Sequence, residues 1–220
     1  AQEKGGIVYV MQEGEINPQM LENNLDYFTP EQEMFQEAEA TNKANWKLIT
    51  ETLLEGYHIK SLHKTTFYPY GLDNVNLVET YGVNARVTFP FRRIEKLRAI
   101  PSDERRADGM LTTVNHVFPN ASISALSKHS NLTIMEPLSP NSTQMVIYLM
   151  TARLATENSI SIEDAKRDAI FVNESGQDED LAAACSIQET VTAQGNSHLT
   201  FGLFEKAIVN FHSNLTASLK

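Results

Sequence analysis

Apolar residues fall along this chain in two rhythms. Trp46, Ile49, Leu53 and Leu54 recur at steps of three and four, the stripe of a helix packed on one side. The same spacing runs through Phe201, Phe204, Ile208, Phe211, Leu215 and Leu219, which predicts a long amphipathic helix at the C-terminal end. Between them Val75, Leu77, Ala85, Val87 and Phe89 lie in alternating runs, the period of half-buried strands. Further strands are predicted at 7–11, 111–118, 121–127, 131–136 and 143–151, with a turn at 137–142 and a polar loop at 101–109. Residues 92–98 read as a charged helix or turn, and Ser161 is a plausible N-cap with Asp164 three residues on. Segment 33–42 is ambiguous: Phe35 and the alanines permit a helix, but an extended run is equally open. The polar stretch up to Pro30 reads as a surface excursion. Strands joined by short turns imply an antiparallel sheet, and the terminal helix must cover one face, so the fold class is α+β.

At 220 residues and 41% hydrophobic content the chain can bury one sizeable core, which predicts a single domain over 1–220. A net charge of −10 argues against nucleic acid or an anionic membrane as partner. There is no run of eighteen apolar residues and no signal-peptide pattern, and a lone cysteine, Cys185, suits a reducing compartment. A cytoplasmic protein is expected. Cys185 itself reads as a small apolar residue.

The candidate chemistry begins with His58 and His63. The helix from Trp46 is predicted to carry His58 inward. A step of five turns about 140° round an ideal helix, so both rings reach one ion only if the helix loosens near Ser61. His63 is therefore expected past the last regular turn. Neutral imidazole suits iron, zinc, copper or nickel, so the pair alone does not choose a metal. A third donor is offered by Asp180, which heads a helical face with Ala184, Ile187, Gln188 and Val191; a buried carboxylate must be paired or bind metal. The alternative is that Asp178, Glu179 and Asp180 decorate a solvated first turn. Two imidazoles and one carboxylate on one side of an octahedral ion leave its opposite face open, as suits Fe(II) meeting O2 and a substrate. Zinc is the rival, but the H-E-x-x-H that would supply a hydrolytic base is absent.

The run N-W-K-x3-E-x3-E-x-Y-H-x4-H at 45–63, followed by E-D-x7-Q at 179–188, resembles the catalytic domain of the Rieske-type non-haem iron oxygenases, the α subunits of ring-hydroxylating oxygenases. The strand end His116-Val117-Phe118-Pro119-Asn120 and a closing helix with Phe211-His212 are similar too. The resemblance implies a helix-grip fold, with His58, His63 and Asp180 as ligands of Fe(II) and O2 as co-substrate. It implies that Glu55 bridges electrons from the Rieske cluster of a neighbouring subunit. Thr52 stands where family members often have Asn. A Rieske [2Fe-2S] cluster takes two cysteines, and this chain has one, so the cluster is expected in a parent protein or partner, fed by a reductase or ferredoxin. Residues 1–12 resemble the strand leaving that missing domain. A full-length parent is expected to be a homotrimer, and the isolated domain to associate more weakly.

The implied activity is hydroxylation, dihydroxylation or oxidative dealkylation of a small aromatic or amine substrate. Candidate pocket residues are Phe67, Tyr68, Tyr70, Val117, Phe118, Ile134 and Met145, and Tyr57, Tyr68 and Tyr70 could offer faces to a cation. His116, His129, His198 and His212 are expected to be structural. The alternative function is a non-redox helix-grip module that binds a small ligand, its histidine pair vestigial.

Overall fold

The computed structural model describes every residue of the chain but 23–25, 108, 154–159, 195–197 and 220. Two short strands, β1 (Gln2–Lys4) and β2 (Ile7–Tyr9), form a hairpin of their own. Its turn is Gly5-Gly6, both at positive φ (65° and 81°), the conformation that a two-residue hairpin turn demands. The predicted strand at 7–11 thus has its partner in the residues just before it.

Seven more strands follow among the described residues: β3 (Met34–Asn42), β4 (Leu77–Tyr81), β5 (Asn84–Pro90), β6 (Leu111–Val117), β7 (Ala121–Ala125), β8 (His129–Ser139) and β9 (Ser142–Thr151). They make one antiparallel sheet in the order β3-β9-β8-β7-β6-β5-β4. From β4 to β9 each strand pairs with its successor, as the short predicted turns require, and β3 closes the far side by pairing with β9 from Met34↔Met150 to Asn42↔Thr143. The ambiguous segment 33–42 is therefore a strand: β9 would otherwise present a long unpaired edge. The β8–β9 hairpin is longer than the alternation predicted, since Pro137 pairs with Thr143 and a register shift follows before Ser139.

Among the described residues four α-helices accompany the sheet: α1 (Trp46–Leu53), α2 (Ile162–Val172), α3 (Asp178–Thr192) and α4 (Lys206–Ser218). Asn45 caps α1 by accepting from the Lys47 amide at 3.0 Å, and Ser161 caps α2 through the Asp164 amide at 3.1 Å. On the helical face of the sheet Phe211, Ile208 and Ala207 of α4 pack with Leu54, Val87 and Val114, while Ile49 of α1 and Ala184 of α3 pack with Met135 and Met145. Burying each large side chain contributes about 1.5–3 kcal/mol. The opposite face is covered by Tyr9, with Ile16, Leu21, Tyr27 and Phe28, over Val117 and Ile123. The stretch expected to be a surface excursion thus sends apolar residues beneath the sheet.

The terminal helix starts at Lys206, later than its apolar stripe predicted. Gly202 lies where a Cβ would stand 2.6 Å from the Tyr57 hydroxyl, and Phe204 meets the Tyr57 ring edge-on at 5.8 Å. These contacts hold 201–205 against the 57–58 turn instead of in the helix. No helix among the described residues is long and apolar enough to cross a membrane.

Candidate metal centre

The helix that was expected to carry His58 stops at Leu53. Leu54, fully buried, still donates its amide to the Glu51 carbonyl at 2.9 Å, but Gly56 follows, and the Glu55 carboxylate folds back to accept from the amides of Tyr57 and His58. That local bond competes with the helix ladder and ends it. Residues 55–71 run on as turns, with Leu62 N bonded to His58 O at 2.7 Å and Tyr68 N to His63 O at 3.0 Å. Both rings are aimed by this turn segment, and His63 lies past the regular helix as expected.

Asp180 comes from the other side of the site. The sequence pattern started its helix near Gly176, but α2 continues into α3 through a π-turn at Asn173–Gln177. Gly176 in that turn meets the Phe67 ring so closely that a Cβ would stand 2.0 Å from Cε2. The buried face of α3 is formed by Leu181, Ala184, Cys185 and Gln188, and Ile187 and Val191 are about half exposed, contrary to the predicted stripe. Asp180 accordingly sits at the margin of the buried face, where its carboxylate reaches the turn.

His58, His63 and Asp180 place one donor atom each within 4.8 Å of one another. One carboxylate oxygen, Oδ1, lies 2.9 Å from His63 Nε2 and 3.3 Å from His58 Nε2. Bonds of about 2.1 Å to a common ion put neighbouring donors roughly 3.0–3.4 Å apart, so Asp180 Oδ1 stands at ligand spacing from each imidazole. The remaining ring nitrogens are also engaged. His58 Nδ1 bonds Glu55, and His63 Nδ1 donates to Glu179 at 2.7 Å, with Thr66 Oγ1 donating to the same oxygen at 2.9 Å. A carboxylate on the outer nitrogen fixes the tautomer and turns the Nε2 lone pair inward.

Three carboxylates facing two imidazoles make the cluster strongly cation-seeking. Burial opposes a charge on His58, but Asp180 and Glu55 outweigh it and hold its pKa up at about 9. His63 is raised against burial by Asp180 and Glu179. Burial pushes Asp180 up, yet hydrogen bonds from both imidazoles bring it below the ordinary carboxylate value.

A cavity of about 490 Å³ opens beside the cluster, lined by Glu55, His58, His63 and Asp180 and by Phe67, Tyr70, Phe89, Arg92, Val114 and Asp168 among others. Of the predicted pocket residues, Phe67 and Tyr70 line it. Met145 lines a neighbouring space of about 40 Å³ that also touches Asp180. Val117, Phe118 and Ile134 line neither. Along β6 the residues Thr112 and Val114 face the cavity, so Val117 has the opposite parity and packs with Tyr9. Ile134 likewise alternates with Asn131 and Thr133, which face the site, and Phe118 packs with Phe211 in the helical core. Tyr68 is turned away and stacks with the Arg92 guanidinium, 4.5 Å from its ring centroid.

The other histidines have local partners. His116 Nε2 donates to Pro119 O at 3.0 Å, His129 Nδ1 donates to Asp168 at 2.8 Å, and His212 Nε2 lies 2.7 Å from Glu51. Cys185 packs against the Met135–Met145 cluster. Sequence reasoning passed over Glu179, Thr66 and Arg92. Glu179 carried a weak signal, its place beside Asp180, whereas Thr66 and Arg92 carried none that local patterning could read.

Fold and cluster together define a helix-covered antiparallel sheet with a candidate metal centre at the mouth of an apolar cavity. The chain belongs to the ring hydroxylating alpha subunit (catalytic domain) family, whose profile matches residues 30–220. Solved structures agree on the fold. A quaternary ammonium Rieske monooxygenase, CntA, superposes with a TM-score of 0.65 at 14% identity, covering 86% of this chain and 50% of that one. Dicamba monooxygenase gives 0.57 at 12% identity, covering 86% and 59%. Naphthalene 1,2-dioxygenase from Rhodococcus sp. gives 0.57 at 14% identity, covering 84% and 56%. The chain thus spans about half the length of these solved relatives. No curated protein matches its sequence.

Proposed function

We propose that this chain is the O2-activating catalytic domain of a Rieske-type oxygenase, with His58, His63 and Asp180 as the ligands of one Fe(II) and a small organic substrate in the adjoining cavity. The convergence of those three donors within 4.8 Å, each imidazole backed by a carboxylate, is the observation that carries this reading. Bound there, ferrous iron supplies the redox chemistry that hydroxylates, dihydroxylates or oxidatively dealkylates a substrate. The protein's own contribution is positional. Glu55 and Glu179 orient the two rings, and the apolar walls of Phe67, Phe89 and Val114 exclude water from the substrate's body.

Electrons must come from elsewhere, because a single cysteine cannot provide the two thiolates of a Rieske centre. Glu55 is the proposed entry point: its carboxylate holds His58 Nδ1 while its side chain remains 13% exposed. A Rieske centre on a neighbouring subunit, served by a reductase or ferredoxin, is the proposed donor, in keeping with the inter-subunit electron transfer described for the quaternary ammonium monooxygenase. That route needs an oligomer of the whole protein, proposed here to be a homotrimer.

Nitric oxide tests the reading without knowledge of the substrate, since it occupies the position that O2 would take. Chain loaded anaerobically with Fe(II) is expected to give the high-spin ferrous–nitrosyl electron paramagnetic resonance signal, near-stoichiometric with iron. Iron that binds but gives no such signal, or a site that takes zinc and rejects iron, contradicts the proposal.

A further inference from the structure

The space of about 40 Å³ that Asp180 shares with the larger cavity lies over the middle of the sheet, roofed by α1 and α3. Its floor is a polar block on β7 and β8. Ser122 stands opposite Thr133 and Ser124 opposite Asn131, so two cross-strand pairs put four polar side chains on one face. All four are buried, at 3–9% exposure. Most neighbours on that face are apolar: Val114 lies opposite Ser124 on β6, Ile147 opposite Thr133 on β9, and Met135 two residues further along β8. The sheet itself would accept an apolar residue at each of the four positions.

These polar groups do not satisfy one another. Ser122 Oγ is wholly buried and has no hydrogen-bond partner among the described residues. Asn131 spends Oδ1 on the Ser124 amide at 3.2 Å, which leaves its amino group to donate. Ser124 Oγ and Thr133 Oγ1 make no hydrogen bond among the described residues either. Across the space Asp180 meets both imidazoles through Oδ1, so Oδ2 is left to accept. A buried hydroxyl or amide without a partner is destabilising, and where the protein supplies none an ordered water does.

We propose that this space is a built water site, in which one or two buried waters link Ser122, Thr133 and Asn131 to Asp180 Oδ2 and so fix the direction in which that carboxylate presents Oδ1. A buried water needs two to four polar partners and about 30 Å³ of room, and a space of about 40 Å³ with these groups around it supplies both. An organic ligand takes about 300 Å³ or more, so the space is too small for one. Ser122 and Thr133 do not line the larger cavity and are positioning residues that act on Asp180 through water. Their effect on a metal rests on the reading of Asp180 as an iron ligand; the water site itself does not.

High-resolution diffraction from crystals of the metal-free chain tests the waters, and anaerobic chelator competition for Fe(II) tests the positioning. Water density within hydrogen-bond reach of Ser122 Oγ and Asp180 Oδ2 is expected. Ser122→Ala and Thr133→Val each remove one hydroxyl, and each should lower the urea midpoint and weaken Fe(II) binding about tenfold, the lower end for an outer partner of a ligand. Thr133→Ser keeps the hydroxyl and should bind Fe(II) as the unaltered chain does. A dry space overturns the proposal, and it would make Thr133→Val neutral or stabilising, because an unpaired buried hydroxyl is then lost. Unchanged Fe(II) affinity in Ser122→Ala and Thr133→Val, or an equal loss in Thr133→Ser and Thr133→Val, overturns it as well. Waters found in a chain that takes up no iron support the water site and remove the metal reading, whereas a dry space in iron-replete protein removes the water site alone.

Discussion

Removing Glu179 tests whether the cluster is built to hold a metal or merely to satisfy its own polar groups. The carboxylate accepts from His63 Nδ1 at 2.7 Å and from Thr66 at 2.9 Å, but it is 36% exposed, so water screens much of its charge. Loss of an outer carboxylate on a ligating histidine weakens metal binding about 10–100-fold. Exposure places Glu179→Ala at the lower limit, about tenfold or ~1.4 kcal/mol. Glu55 makes the matching contact to His58 with only 13% of its side chain exposed, so Glu55→Ala should cost more, towards a hundredfold. Anaerobic competition of each variant with a chelator for Fe(II) measures both, and circular dichroism confirms that the fold is retained. Unchanged affinity in Glu179→Ala, or a reversed order between the two variants, refutes the idea that these acids aim the rings.

Further tests address the scaffold. His116 is buried, and burial lowers its pKa from 6.5 to about 4, so the unfolded chain takes up a proton that the fold refuses. Its stability contribution is complete above about pH 6.5 and declines as pH falls towards about 4, by about 3 kcal/mol in all; urea midpoints should fall less steeply with acid in His116→Gln, and equal slopes would discount the residue. Gly176→Ala forces a Cβ into the Phe67 ring, which itself packs on His63 at 4.8 Å. It should cost about 1–3 kcal/mol in thermal or urea unfolding and weaken Fe(II) binding as well; a neutral result would mean the π-turn shifts freely. Phe211, fully buried with its ring 5.6 Å from Trp46 and 4.9 Å from His116, should cost about 3–5 kcal/mol on truncation to Ala, and a loss under 1 kcal/mol would contradict its central packing role.

The strands were legible because their patterns are local: β5 and β6 lie where Val87 and Val114 alternate with polar neighbours, and β9 where an apolar run from Met145 to Met150 follows a turn. Which parity faces the site was not legible, since it depends on the side of the sheet that α1, α3 and α4 cover. That is why Val117 and Ile134 lie away from the cavity while Phe67, on a turn, lines it. The end of α1 escaped periodicity because Leu53 and Leu54 continue the stripe, and only the fold-back of Glu55 onto the Tyr57 and His58 amides stops the helix. The histidine pair sits within one segment and could be read from spacing. Its partner Asp180 lies 117 residues from His63, so only the family resemblance joined them before the fold was known. Glu179 and Arg92 owe their significance to contacts between distant segments, which no window of sequence contains.

The most direct measurement is Fe(II) stoichiometry in purified, anaerobically loaded chain and in His58→Ala, His63→Ala and Asp180→Ala. The account predicts one iron per chain, lost in each of the three variants while circular dichroism remains that of the folded protein. Iron retained at full stoichiometry and affinity by Asp180→Ala, or no iron taken up by the unaltered chain, would contradict it.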